Sequence, residues 1–142
     1  MSTHTLVATI TYETAARTVS AAIDAAERVG VRAVVTVVDP SMALVAFGRA
    51  DGATPHSVET SRRKAMTAAS TRRPTAAMAP DLAVALEHGS GGLLTSIKGG
   101  VPVVFDGVHV GGLGVAGGRP DEDARIAATV LAEIGADAEP AR

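Results

Sequence analysis

A chain of 142 residues suits one domain and is too short for two ordinary ones, so residues 1–142 are read as a single unit with its core over about 5–135. Its only aromatics are Tyr12, Phe47 and Phe105, so the core must be built from Ala, Val, Leu and Ile, and no base-stacking platform exists. A formal net charge of −2 sets nucleic acid and membrane surfaces aside, and the lack of cysteine excludes disulfides, thiolate-bound metals and thiol catalysis.

Met1–Ile10 has no basic region followed by an apolar run, as a secretory leader would. No stretch approaches the roughly 18 apolar residues of a membrane helix, so a cytoplasmic protein is expected. Thr11 reads as the N-cap of an amphipathic helix running to about Val29. Ala15, Val19, Ala22, Ile23 and Ala26 share one face, and Glu13–Arg17 and Asp24–Arg28 are spaced for ion pairs on the other. Ala33–Val38 is a β-branched run closing at Asp39-Pro40. Leu44–Phe47 resumes extended character, which makes a hairpin.

Ser57–Thr71 reads as a second helix, closed by Arg72, Arg73 and Pro74. Thr75–His88 reads as helical with Pro80 interrupting it or opening its main segment. Leu93–Ser96, Val101–Phe105 and Val108–Val115 read as short strands. Asp106-Gly107 signals a type I′ turn, since both residues tolerate positive φ. Gly117, Gly118 and Pro120 lead into a last helix, with Asp121, Glu122 and Asp123 at the positive end of its dipole and Ile126, Ala127, Val130, Leu131 and Ile134 on one face. From about Ala136 the chain is expected to fray. Two hairpins break strict strand–helix alternation, so the order predicts an α+β fold: an antiparallel sheet of about five strands with helices packed on it.

Gly112-Leu113-Gly114-Val115-Ala116-Gly117 fits the dinucleotide pattern G-x-G-x-x-G, and Asp137 follows where a ribose-binding acid would stand. The chain has no room for a second strand of that βαβ unit, so these glycines read as allowing a helix or ligand close to the sheet. On the second helix Thr60, Lys64, Thr67 and Thr71 form one stripe, beside a Glu59–Arg63 pair. A lysine among hydroxyls can hold a carboxylate, and the alternative is a solvated face with a structural ion pair. His4, His56, His88 and His109 lack metal-site spacing, so no metal site is expected.

An ordered set of motifs carries a resemblance. Val37-Val38-Asp39, Leu44–Phe47 and Arg49-Ala50-Asp51-Gly52-Ala53 are followed by Arg63-Lys64-Ala65-Met66-Thr67-Ala68-Ala69 and Arg73-Pro74-Thr75. Gly99-Gly100-Val101-Pro102-Val103 comes next, then Gly107, Gly111, Gly114-Val115-Ala116-Gly117-Gly118 and Asp121-Glu122-Asp123. The set resembles the GlcG/HbpS family, which also supplies the C-terminal domain of PduO-type cobalamin adenosyltransferases. The resemblance implies a profilin-like fold, a homo-oligomer, and haem or a related tetrapyrrole as ligand in some members. Departures are Ala116 for the usual serine, Ala50 for the usual methionine, and a Pro40–Ala43 turn without glycine.

The function expected first is binding of a small-molecule ligand, haem foremost. The site is placed between the second helix and the glycine-rich strands, with His56, Arg63, Lys64, Thr67, Gly99, Gly100, Gly111 and Gly114 as binding residues. Glycines 99, 100, 111 and 114 are expected to leave room opposite the helix, and Lys64→Ala to weaken anion binding with little change in fold. Alternatives are an enzyme on a small organic acid or carbonyl compound and a structural oligomer supporting a partner enzyme. In the enzyme, Lys64 and Arg63 hold the anion and His56 or Asp51 serves as acid or base.

Overall fold

Thr11 starts the first helix in the expected way: its side-chain oxygen accepts the Thr14 N–H at 3.2 Å, and α1 runs over Tyr12–Arg28. A computed structural model describes residues 1–138. After α1 come β1 (Val34–Val38), β2 (Leu44–Arg49), α2 (Ser57–Thr71), α3 (Pro80–Gly89), β3 (Gly100–Phe105), β4 (Val108–Ala116) and α4 (Pro120–Glu133). Pro80 opens α3 at its first turn, where a missing N–H costs nothing. The helix of 57–71 ends on Arg72 in a left-handed conformation. Arg28 pairs with Glu133 of α4 at 2.7 Å rather than with Asp24, and so ties α1 to α4.

The strands form one antiparallel sheet in the order β2-β1-β4-β3, an α+β fold with four strands rather than five. Leu93–Ser96 is not a strand because its donors are claimed by side chains. Leu94 N–H goes to Ser90 Oγ, Thr95 N–H to Thr67 Oγ1 and Ser96 N–H to the Glu87 carboxylate. Gly91 and Gly92, both at positive φ, turn the chain into that conformation. Asp106 and Gly107 take φ of +49° and +79° in the β3–β4 turn, as a type I′ turn requires. The Asp137 carboxylate accepts both of their N–H groups at 3.1 and 2.8 Å, so this acid caps the hairpin and the chain is still docked there.

Helices cover both faces of the sheet, which is why every residue of β1 is buried. α1 and α4 pack on one face over Val35, Val37, Leu113 and Val115, the larger apolar core. α2 lies alone on the other and approaches far more closely. A Cβ on Gly114 would stand 2.0 Å from the Ser61 carbonyl oxygen, and one on Gly112 2.2 Å from that of Ala65. The glycines of the dinucleotide-like motif are thus a lane for α2, which answers with Ser61, Ala65 and Ala69. A buried Thr36–Ser61 hydroxyl contact of 2.8 Å pins the helix to β1.

Two glycine substitutions separate torsion from space. A Cβ at Gly107 meets no atom within 4 Å, so the cost of Gly107→Val is mainly torsional, about 1–3 kcal/mol. Gly114→Ala is torsionally free but drives a methyl into backbone, and should cost at least about 3 kcal/mol. Urea unfolding of both variants checks this, and equal midpoints for Gly114→Ala and the wild type would remove the close approach of α2.

Candidate functional site

Lys64 points from α2 past the start of β3 and is buried to 3% side-chain exposure. Its Nζ donates to the Val115 carbonyl at 2.9 Å and to Asp123 Oδ2 at 3.0 Å. Both partners follow from the local chain path. Val115 N–H bonds Gly99 O, and in a continued ladder Gly99 N–H would return to Val115 O. Gly99 instead bends away at φ +126°, and the lysine takes the vacated acceptor. A Cβ on Gly99 would lie 2.8 Å from Nζ, so this glycine makes room for the ammonium. Asp123, in the first turn of α4, also accepts Gly118 N–H through Oδ1 at 2.9 Å.

Burial pushes the Lys64 ammonium below the ordinary lysine range, with Asp123 opposing that shift. Burial likewise raises the Asp123 carboxyl, against the pull of Lys64. The pair is neutral as a unit. Sequence spacing places Lys64 on a ligand-facing or solvated stripe, and the structure buries its middle, Lys64 and Thr67, while Thr60 and Thr71 stay half-exposed. Thr67 Oγ1 donates to Arg63 O at 2.7 Å and accepts Thr95 N–H at 2.8 Å, so it is saturated by its own chain. Thr71 Oγ1 bonds Thr67 O. Arg63 pairs with Glu59 at 3.2 Å and reaches toward Gly92.

The expected glycines do not leave open space. Opposite Gly100 stands Lys64 O, opposite Gly111 Val38 O, opposite Gly114 Ser61 O, and opposite Gly99 the lysine itself. Room lies instead at the N-terminal end of α2, in a groove of about 310 Å³ whose walls include His56, Thr60, Ile97, Ala116 and Pro120, with Lys64 and Asp123 at its base. Ala116 gives this groove a methyl where the family resemblance would place a hydroxyl. His56 is the N-cap residue of α2 but makes no side-chain cap bond, and its imidazole has no partner among the described residues. Asp51 lies elsewhere, in a separate hollow with Arg32 and Arg49. His56 and Lys64 therefore share a groove, while Asp51, Arg63 and Thr67 do not line it.

The other histidines are less available. His4 meets Thr3 in the exposed N-terminal stretch, and His88 is in the last turn of α3. His109 Nε2 donates to Ala69 O at 2.9 Å, leaving Nδ1 buried without a partner among the described residues. Burial holds its pKa below the ordinary histidine value. Sequence reasoning missed Asp123 as the counter-ion of Lys64, because three consecutive acids at a helix start look alike as dipole partners. The described residues contain no cluster able to hold a metal and no helix long and apolar enough to cross a membrane.

The family of HbpS-like haem-degrading proteins is matched over residues 10–132. Among solved structures, HbpS superposes with a TM-score of 0.84 at 36% identity, over 94% of this chain and 95% of that one. The haem complex of PduOC gives a TM-score of 0.84 at 27% identity, covering 93% and 99%. The ORFY protein of Klebsiella pneumoniae gives 0.85 at 26%, covering 94% and 96%. A comparison with curated proteins finds no match.

The buried pair yields a direct test. Lys64→Ala strands the Asp123 carboxylate in the interior and should cost about 3–5 kcal/mol, against the little change in fold expected from sequence. Replacing both partners, Lys64→Met with Asp123→Leu, should restore most of that loss, because apolar side chains of similar volume need no counter-charge. Urea midpoints of the two variants decide it, and a Lys64→Ala protein as stable as wild type would mean the ammonium is not buried.

Proposed function

The chain belongs to the HbpS-like haem-degrading family, and from that premise we propose that it binds haem or a related tetrapyrrole in the groove headed by His56. The observation that carries this reading is the unengaged His56 imidazole beside an apolar wall of Ile97, Ala116 and Pro120. The residues fit the group: an iron needs one or two axial donors, and a macrocycle needs apolar faces. Haem would supply a redox-active iron with an exchangeable axial position. His56 would hold that iron, and the apolar wall would keep water from one face. At about 310 Å³ the groove is at the small end of ligand pockets, so it would cover only part of a macrocycle.

A second copy of the chain would cover what the groove leaves open, which supports a homo-oligomer. Ile97, Leu93, Leu82 and Val84, all more than two-fifths exposed, supply apolar surface around the 80–97 stretch for such packing. The reading as an enzyme on small organic acids is less well supported. Lys64 is engaged by Asp123 and Val115 O, Arg63 by Glu59, and Asp51 sits outside the groove.

Titrating haem into the full chain should give a saturable Soret band. His56→Ala should weaken binding by at least about tenfold and move the band, while the unfolding midpoint stays in place, since the ring makes no bond in the protein. An unchanged affinity and spectrum in His56→Ala would take the iron away from this groove. Sedimentation at micromolar concentration should show a species several times 14.2 kDa, and a lone 14.2 kDa boundary would end the oligomer reading.

A further inference from the structure

A second groove lies on the far side of Gly99 and Gly100, where three separate stretches of chain meet. Thr75 and Ala76 come from the segment after α2, Lys98 and Gly99 from the approach to β3, and Asp121 and Arg125 from α4; the hollow measures about 440 Å³. Lys98 Nζ donates to Asp121 Oδ1 at 2.9 Å, with both side chains more than half exposed. The Lys98 hydrogen bond and charge hold the Asp121 carboxyl below its ordinary range, and Arg125 and Arg119 pull it further. Arg125 itself has no carboxylate within ion-pair distance among the described residues. The two cations lining the hollow therefore outnumber its one carboxylate.

The opposite wall is held in an unfavourable shape. Ala76 stands at φ +69°, a conformation that costs an alanine energy and a glycine almost none. The turn is clamped just before it: Thr75 N–H donates to Gly100 O at 3.0 Å, and Gly100 N–H returns to Thr75 Oγ1 at 3.0 Å. The Ala76 N–H has no partner among the described residues. The strained turn at Ala76 and Arg125, which has no carboxylate partner among the described residues, line the same open hollow.

We infer that this groove binds a small carboxylate, with Arg125 and Lys98 meeting its charge. Arginine suits the ligand because its planar fork matches two carboxylate oxygens, while Lys98 adds a point charge. Asp121 pairs with Lys98 and so competes with the ligand for that cation. That competition gives the site a signature that a diffuse basic surface lacks: removing the acid must tighten binding.

The probe is sodium malonate, with neutral malonamide as the control, added at constant ionic strength to the full chain without haem. Amide proton and nitrogen shifts report the site, so the result is independent of the His56 groove. Malonate should produce saturable shifts centred on Ala76, Gly99 and Gly100, and malonamide none. Arg125→Gln should weaken malonate at least tenfold, and Asp121→Asn should strengthen it several-fold. Lys98→Gln serves as a second exposed variant should Arg125→Gln fail to fold, and it should also weaken binding. Shifts that never saturate, that spread over the surface, that survive loss of the cation, or that weaken in Asp121→Asn would overturn the inference.

Discussion

One ammonium group sets the arrangement of the surrounding chain. Lys64 leaves α2 on one face of the sheet and ends against a β4 carbonyl and a carboxylate of α4, whose body packs on the other face. A buried charge tolerates few positions, since losing either acceptor leaves it unpaired in a medium that solvates it poorly. The helix, the strand end and the second helix are therefore fixed to one another at a single point. Gly99 and Gly100 make that point possible, one by yielding space to Nζ and the other by admitting Lys64 O at what would be 2.4 Å from a Cβ. Thr75 then locks the same glycine from the other side.

The scarcity of large side chains has the same root. Where α2 meets β4, the contact surfaces are Gly112 and Gly114 on the strand and Ser61, Ala65 and Ala69 on the helix. Backbones that close can pack densely with almost no side-chain volume between them, and the opposite face takes the larger Leu113, Val115 and Ile126. Apolar burial on the α2 side is thus small, with Val38, Ala65, Met66 and Ala69 as its cluster. Polar contacts make up the difference there: Thr36 with Ser61, Thr67 with Thr95, Lys64 with Asp123.

Much of this was legible in the chain, and the boundary between legible and not is physical. Local signals were reliable: the Thr11 cap, Pro80 at a first turn and Asp106-Gly107 as a hairpin turn each act through the backbone of their own neighbours. The family motifs were also correct markers, because Lys64, Arg73-Pro74-Thr75, Gly99-Gly100 and the acidic start of α4 gather around one node. Their roles were not legible, since a lysine that binds a ligand and one that binds a distant aspartate look the same in sequence. Burial of Thr67 depends on the 87–97 segment folding over α2, where Thr95 N–H bonds its hydroxyl, a contact no periodicity records. Leu93–Ser96 within it reads as a strand in sequence but is not one, because hydroxyl and carboxylate groups, rather than another strand, take its backbone donors.

The buried pair also shapes what the His56 groove can recognise. Its base is ionic in composition yet neutral in sum, and both charges are turned toward each other rather than outward. A ligand entering there meets apolar walls, hydroxyls and one free imidazole, with no unpaired charge at depth. An anionic substituent would find no free cation at the base to offset its desolvation cost. The hollow beside Gly99 and Gly100 carries Lys98 and Arg125 against Asp121 alone, so the protein presents one groove whose base is a neutral ion pair and another with an excess of positive charge.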